Sequence, residues 1–403
     1  MLRLLPLVLG AFAIGAETFM VSGVLPQIAA DLRVTAAAAG SLVTIFALAY
    51  AFGSPLIAAA AAGVERKRLL IVAIAAFALA NLLAAVAPNF LSLAAARALL
   101  ALSAGSFMPA AVAFAAALFS AERRGRAIAV IYGGMTAATV IGVPAGTYLA
   151  SLAGWRAPFF GVAILAALAA IGVAAALPRL PGVRAAGYGE RLAVARRPEV
   201  LQMLTLTALA LVGPFAINTF LGVLAESALG IGGDKLALVL AFFGVVSFAG
   251  SQFGGYAADR WPRERFLTTI FVVLVAAFPL LSIGPHIGGG VAAALLFAGL
   301  ALWGLFGWAF PIVQQARLVT LDPAMAPITL SLNISALYVG VAIGSSLGAW
   351  ALARWSVDSL GLVAGASEVV ALVFLALTGA LKPAPEAAEG QASTEAVYLA
   401  AGE

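Results

Sequence analysis

A carboxylate and a guanidinium lie deep in apolar runs: Glu17 in AFAIGAETFMVSGVLP and Arg97 in LSLAAARALLALSAG. A charge in such a setting is costly unless it faces a cavity, is paired or is neutralised. A carboxyl taken out of water holds its proton more tightly, so Glu17 has the chemistry of a proton carrier working near physiological pH. Arginine keeps its charge when buried, so Arg97 needs acceptors or a counter-charge. It stands about 10 Å of helical rise inside its run, too deep for simple snorkelling to water. A third charge, Glu368 in LVAGASEVVALVF, is expected to pair with a polar group of the preceding span or to face a partner chain, with a second proton site as the alternative. Glu226 closes an apolar run and is expected to be solvated.

Other chemistries are excluded by count. There is no cysteine, hence no disulfide, thiolate metal site or cysteine nucleophile. The one histidine, His286, lies in SIGPHIGGG, read as a loop, so a histidine triad or multi-histidine metal site is out of reach. GIGG (230–233) is followed by no Lys-Ser/Thr pair, so no phosphate-binding loop supports ATP-driven work. No cofactor is expected.

The elements that carry these residues are apolar helices. Of 403 residues, 64% are hydrophobic and 10% charged, against about 25% charged in a soluble domain. So few charges could not cover a soluble surface. A net charge of +5 points to no nucleic acid, because the positive residues sit between apolar runs. Spans are expected near 5–29, 36–62, 68–87, 90–119, 125–150, 156–177, 199–226, 235–258, 266–284, 289–318, 326–353 and 357–381. Their lengths suit helices crossing a core of about 30 Å. The start, MLRLLPLVLGAFAIGA, imitates a signal peptide, but its apolar run continues to about Ala29 and reads as the first span.

The expected class is therefore an all-α integral membrane protein of twelve transmembrane helices. It divides into an N-terminal six-helix bundle (1–177), a linker (178–198), a C-terminal six-helix bundle (199–381) and an acidic tail (382–403) expected to be disordered. With the N-terminus cytoplasmic, seventeen of the 22 Lys and Arg fall in cytoplasmic segments, against Arg33, Arg156, Lys235 and Arg354 outside. This bias places both termini in the cytoplasm. The halves repeat: GSPLIAAAAAGVERKR (53–68) and GSQFGGYAADRWPRER (250–265) align Gly53 with Gly250, Ser54 with Ser251, Arg66 with Arg263 and Arg68 with Arg265. Transporters built from such repeats hold substrate between them near the midplane. Gly340, Gly344 and Gly348 recur every four residues, a face for close helix packing. Asn81 reads as interhelical glue, and Asp31 with Arg33 as structural.

On these residues the sequence resembles the major facilitator superfamily, in its branch of twelve-helix drug:proton antiporters, arabinose-efflux-like permeases and chloramphenicol exporters. GGYAADRWPRER is similar to the family's G-x-x-x-D-R-x-G-R-R loop: Asp259, Arg260, Arg263 and Arg265 match, and Pro262 replaces a Gly. The first-half copy departs further, with Ala62 for the Asp and Glu65 for the Gly. AETFMVSGVLPQIAADLRV (16–34), RALLALSAG (97–105) and GGMTAATVIGVPAG (133–146) also match, the last resembling the antiporter signature that ends in Gly142, Pro144 and Gly146. The resemblance implies two pseudo-symmetric bundles rocking about a central cavity lined by spans 1, 4, 7 and 10. It assigns proton coupling to Glu17 and Arg97, and gating to Asp259, Arg260, Arg263, Gly142, Pro144 and Gly146. Substrate contact falls to Asn218, Gln314, Asn333 and Tyr338, with Trp303 and Trp308 set either to stack on an aromatic substrate or to pack on lipid. The implied protein is not an enzyme. It is a monomeric, proton-coupled exporter of a small drug-like, sugar or nucleoside molecule in a bacterial inner membrane. The alternatives are an importer or uniporter on the same fold, or a non-transporting sensor.

Overall fold

The computed structural model describes residues 2–61, 63–182, 187–232, 234–287, 289–323 and 325–378. Ala62, Arg184 and the tail with Lys382 lie outside them.

Among the described residues, twelve helices are long and apolar enough to cross a membrane: α1 Leu5–Asp31, α2 Ala36–Ala60, α3 Arg66–Ala85, α4 Phe90–Leu118, α5 Arg123–Ala153, α6 Ala157–Ala176, α7 Pro198–Asn218, α8 Asp234–Arg260, α9 Arg263–Ile283, α10 Gly289–Leu321, α11 Ala326–Arg354 and α12 Ser359–Leu377. Local signals set several ends. Thr35 accepts from Ala38 N–H at the start of α2, and Asn89 with Ser92 forms a capping box at the start of α4. Large apolar side chains such as Leu79, Leu91, Ile164, Ile171, Leu238 and Leu377 point outward, as lipid-facing positions must.

Three spans are not regular α-helices, which the apolar pattern does not reveal. In α5 a π-helical turn occupies Ala138–Gly142, and in α10 another occupies Trp303–Gly307. Pro144 and Pro311 follow them. Each lacks the N–H that would bond the carbonyl four residues back, which favours a local change of helical pitch. The expected continuous seventh span is broken: α7 stops at Asn218 and a separate helix runs Leu221–Leu229. The Thr219 hydroxyl takes the Phe215 carbonyl at 2.8 Å, and Phe220 N–H turns to Ile217 O at 2.9 Å. Such back-bonding competes with the helical ladder. The stretch around His286 is not the loop expected, because the ninth helix continues to Ile287. Gly289, at φ +63°, makes the reversal into α10. The linker contains a short helix, Tyr188–Ala195, whose Arg191 donates to Ser331 Oγ on α11 at 2.9 Å.

Each half builds its own core, and the two cores interlock at the centre. The first draws on residues from Leu4 to Leu177 and takes in Tyr338, Val341 and Ala342 of α11. The second runs mainly from Leu206 to Leu375 and takes in Leu25, Ala29, Ala39 and Val143. The glycine face of α11 lies on α7: a Cβ at Gly340, Gly344 or Gly348 would run into the carbonyls of Ala208, Val212 and Ala216. In lipid, where no hydrophobic drive brings helices together, such close backbone approach supplies the packing. Cross-half contacts gather toward the end where α1 finishes. Ser345 Oγ donates to Gly40 O at 3.1 Å, Thr44 and Ser346 hydroxyls meet at 3.2 Å, and the Phe220 ring sits against Gly40 and Gly348.

Candidate functional site

Four helices bring the central cluster together. Glu17 stands about 18 Å along α1 and Arg97 about 10 Å along α4. Because α4 enters from the opposite end, the two depths converge. Arg97 Nη1 donates to Glu17 Oε1. Its Nε points to the Leu42 carbonyl of α2 at 3.4 Å, and its guanidinium lies 4.4 Å from the centre of the Phe46 ring. Glu17 is 0% and Arg97 1% exposed. Such a pair is stable only with its remaining hydrogen-bond capacity met, yet Glu17 Oε2 and Arg97 Nη2 have no partner. One acceptor and one charged donor are therefore left over at the centre of the molecule.

An aromatic group flanks this pair. Tyr50 of α2 stacks on Tyr338 of α11 with ring centres 3.9 Å apart, and Phe46 lies 6.2 Å from each. The stack joins the two halves beside the ion pair. Phe19 of α1 meets Trp308 of α10 at 5.7 Å, a second aromatic contact between the halves. Trp303 does neither of the things expected of it: it is buried against Phe243 and Phe278 in the C-terminal core. Of the residues brought together here, the sequence singles out Glu17, Arg97 and Tyr338 but not Phe46 and Tyr50, whose aromatic types in an apolar run look like core.

Gln314 and Asn333, expected to meet substrate, are buried and bonded within the C-terminal half. Thr207 donates to Asn333 Oδ1 at 2.6 Å and accepts from Gln314 Nε2 at 3.1 Å. Gln314 also reaches Met203 O at 2.8 Å and accepts from Arg317 Nη1 at 3.1 Å. Arg317, 3.8 Å from Glu264, is 6% exposed and closes this network toward the end of α10. The polar types in α7, α10 and α11 here serve one another, as buried polar groups must. Asn218 is half-buried at the break that ends α7, apart from this network.

Toward the basic loops the repeat is visible in three dimensions. Arg66 Nη1 donates to Ala113 O near the end of α4 at 2.6 Å, and Arg263 Nη1 to Thr320 Oγ1 near the end of α10 at 3.1 Å. Arg260 lies 4.1 Å over the Tyr256 ring, and Asp259 is exposed. Gly142 lets α5 approach Ala16 and Phe12, and Gly146 faces Met20, so the antiporter-like stretch lies along α1 on both sides of Glu17. Asp31 is held by Arg156 at 2.5 Å and Trp155 at 3.0 Å, tying α1 to α6. Asn81 is not interhelical glue: its Nδ2 bonds Phe77 O on its own helix at 2.9 Å. Glu226 is exposed, as a solvated charge should be.

The family model described as Major Facilitator Superfamily matches residues 7–320. Among curated relatives, the uncharacterized MFS-type transporter YbcL of Bacillus subtilis is 33% identical over 363 residues, covering 90% of this chain and 92% of its own. The chloramphenicol resistance protein of Streptomyces lividans is 39% identical over 287 residues, 70% of this chain and 71% of that protein. Among solved structures, a peptide transporter POT superposes with a TM-score of 0.76 over 93% of this chain and 94% of that one. At 14% identity that likeness speaks for the fold alone.

Proposed function

This chain belongs to the major facilitator superfamily, a family of multi-pass membrane transporters rather than enzymes, and from that premise we propose that it exports a small amphipathic molecule in exchange for protons. The observation that carries the reading is the Glu17–Arg97 pair buried in the N-terminal half beside the Tyr50–Tyr338 stack that joins the two halves, with one oxygen and one nitrogen left unbonded. A proton on Glu17 neutralises the carboxylate and weakens its hold on Arg97. A substrate that donates to Glu17 Oε2 and accepts from Arg97 Nη2 favours the charged, paired form. Proton and substrate therefore compete for one carboxylate, which is the requirement for exchange. The Tyr50–Tyr338 stack and Phe46 offer flat apolar surface to an aromatic substrate. Resistance to chloramphenicol, named for the Streptomyces relative, supports an amphipathic drug-like cargo.

Alternating access follows from two bundles rocking about this centre. In the conformation seen here, the contacts at Gly40, Thr44 and Phe220 close the end where α1 finishes. The opposite end, with Arg66 and Arg263, carries most of the positive charge and on our reading faces the cytoplasm of a bacterial inner membrane. The reading needs no cofactor and no nucleic acid, and a single chain holds every residue it uses.

The test is uptake of labelled chloramphenicol by proteoliposomes with an acidic lumen. Accumulation that collapses on adding a protonophore is expected. Uptake that equilibrates equally with and without the gradient would favour a uniporter.

Asp259→Asn tests the gate. Only the second repeat keeps the Asp-Arg pair, Asp259 with Arg260, at the end of α8. The substitution is expected to slow transport several-fold at equal expression, with substrate affinity unchanged. Wild-type rates in the variant would remove Asp259 from the cycle.

A further inference from the structure

A fully buried carboxyl outside the central cluster is left unexplained by this mechanism. Glu368 lies about 14 Å along α12 and is 0% exposed. Neither of its side-chain oxygens has a hydrogen-bond partner. The expected pairing with a polar group of α11, or exposure to a partner chain, is not what is found. The side chain turns inward onto α7: a Cβ built on Gly213 would stand 2.6 Å from Glu368 Oε1 and 2.7 Å from Ala364 O.

The helices packed on α12 are α9, α7 and α11. On α7 the charged residue is Glu199, at its first turn. On α9 Arg263, Glu264 and Arg265 stand at its start. On α11 Tyr338 belongs to the central stack, and Arg354 ends the helix. None of them bonds to Glu368. A carboxylate in such surroundings has neither a counter-charge nor a donor, and an uncompensated buried charge takes up a proton instead. The residue is therefore charged only when the packing around it opens.

That packing includes the element most able to move. Gly213 precedes Pro214, and the α7 break follows at Thr219 and Phe220. Phe220 is also part of the cross-half closure at Gly40. The carboxyl thus touches the segment whose far end seals one side of the molecule.

We propose that Glu368 is a second proton-binding site, loaded and sealed in this conformation and exchanging its proton with water when α7 shifts. The chemistry is protonation of one carboxylate oxygen and return of that proton to water, with no other bond changed. The site stands apart from Glu17, on the other bundle. It goes beyond the exchange reading above, and its test needs no substrate.

The experiment is infrared difference spectroscopy of the full-length reconstituted protein, titrated from about pH 6 to about pH 10, since buried carboxyls can titrate far above their usual range. Wild type should show two protonated-carboxyl C=O bands that fade as pH rises. Glu17→Gln should remove one and Glu368→Gln the other. Gly213→Ala, which crowds the carboxyl without removing it, should shift the second band in frequency or midpoint. If Glu368→Gln fails to fold, the Gly213→Ala shift decides alone. A titrating spectrum identical in wild type and Glu368→Gln, or a second band indifferent to Gly213→Ala, overturns the proposal. Loss of chloramphenicol transport in either variant does not bear on it, so this site and the exchange reading fail separately.

Discussion

Glu17→Gln should abolish accumulation against a gradient while leaving the fold and passive exchange in place. Glutamine keeps the length of the side chain and an acceptor for Arg97 Nη1, the donor that holds Glu17 Oε1. It cannot gain or lose a proton, so the proton gradient has no carrier at this site. A pH step of one unit is worth about 1.4 kcal/mol per proton, roughly a tenfold concentration ratio. In proteoliposomes with that step, chloramphenicol should accumulate about tenfold with the wild type for one-for-one exchange, and reach only equal concentrations with the variant. Counterflow, which needs no proton, should persist in both, with weaker substrate affinity in the variant because an amide NH2 replaces the Oε2 acceptor. If Glu17 were only a hydrogen-bonding neutral carboxyl, the variant would accumulate as the wild type does, and that outcome removes the residue from coupling.

Arg97→Met should be strongly destabilising. It leaves the Glu17 carboxylate fully buried with its one hydrogen bond gone. Breaking one side of a buried pair costs about 3–5 kcal/mol, and here the cost falls on a carboxyl that has lost its donor and must take up a proton to stay buried. Replacing both members costs far less. Thermal unfolding followed by size-exclusion chromatography should therefore rank wild type highest and Arg97→Met lowest, with the double variant Glu17→Gln/Arg97→Met recovering most of the loss. Transport should be absent from both variants. An Arg97→Met protein as stable as wild type would show that the pair carries no such energy.

Legibility in the sequence followed rarity. Against apolar helices, a single Glu or Arg is conspicuous, so Glu17, Arg97 and Glu368 were all readable, and the length of the apolar runs placed the twelve spans. The broken seventh span and the π turns in α5 and α10 were not readable. Their causes are local: the Thr219 hydroxyl takes the Phe215 carbonyl, and Pro144 and Pro311 lack the N–H that would bond four residues back, neither of which changes hydropathy. Phe46 and Tyr50 were missed for the opposite reason: aromatic residues are common in such helices, and only the fold puts Phe46 against Arg97 and Tyr50 against Tyr338. Gln314 and Asn333 were conspicuous as polar residues, but type alone does not distinguish a side chain that meets cargo from one satisfied by Thr207.

The Tyr50–Tyr338 stack has a kinetic consequence. It is built half from each bundle, so any rocking that parts α2 from α11 must peel two rings from each other. An aromatic pair is worth about 0.5–1.5 kcal/mol beyond the area it covers, which corresponds to at most roughly a tenfold bias in population. The stack is thus a light latch. It can lengthen the dwell of the closed form, and it is too weak to trap the molecule there between turnovers.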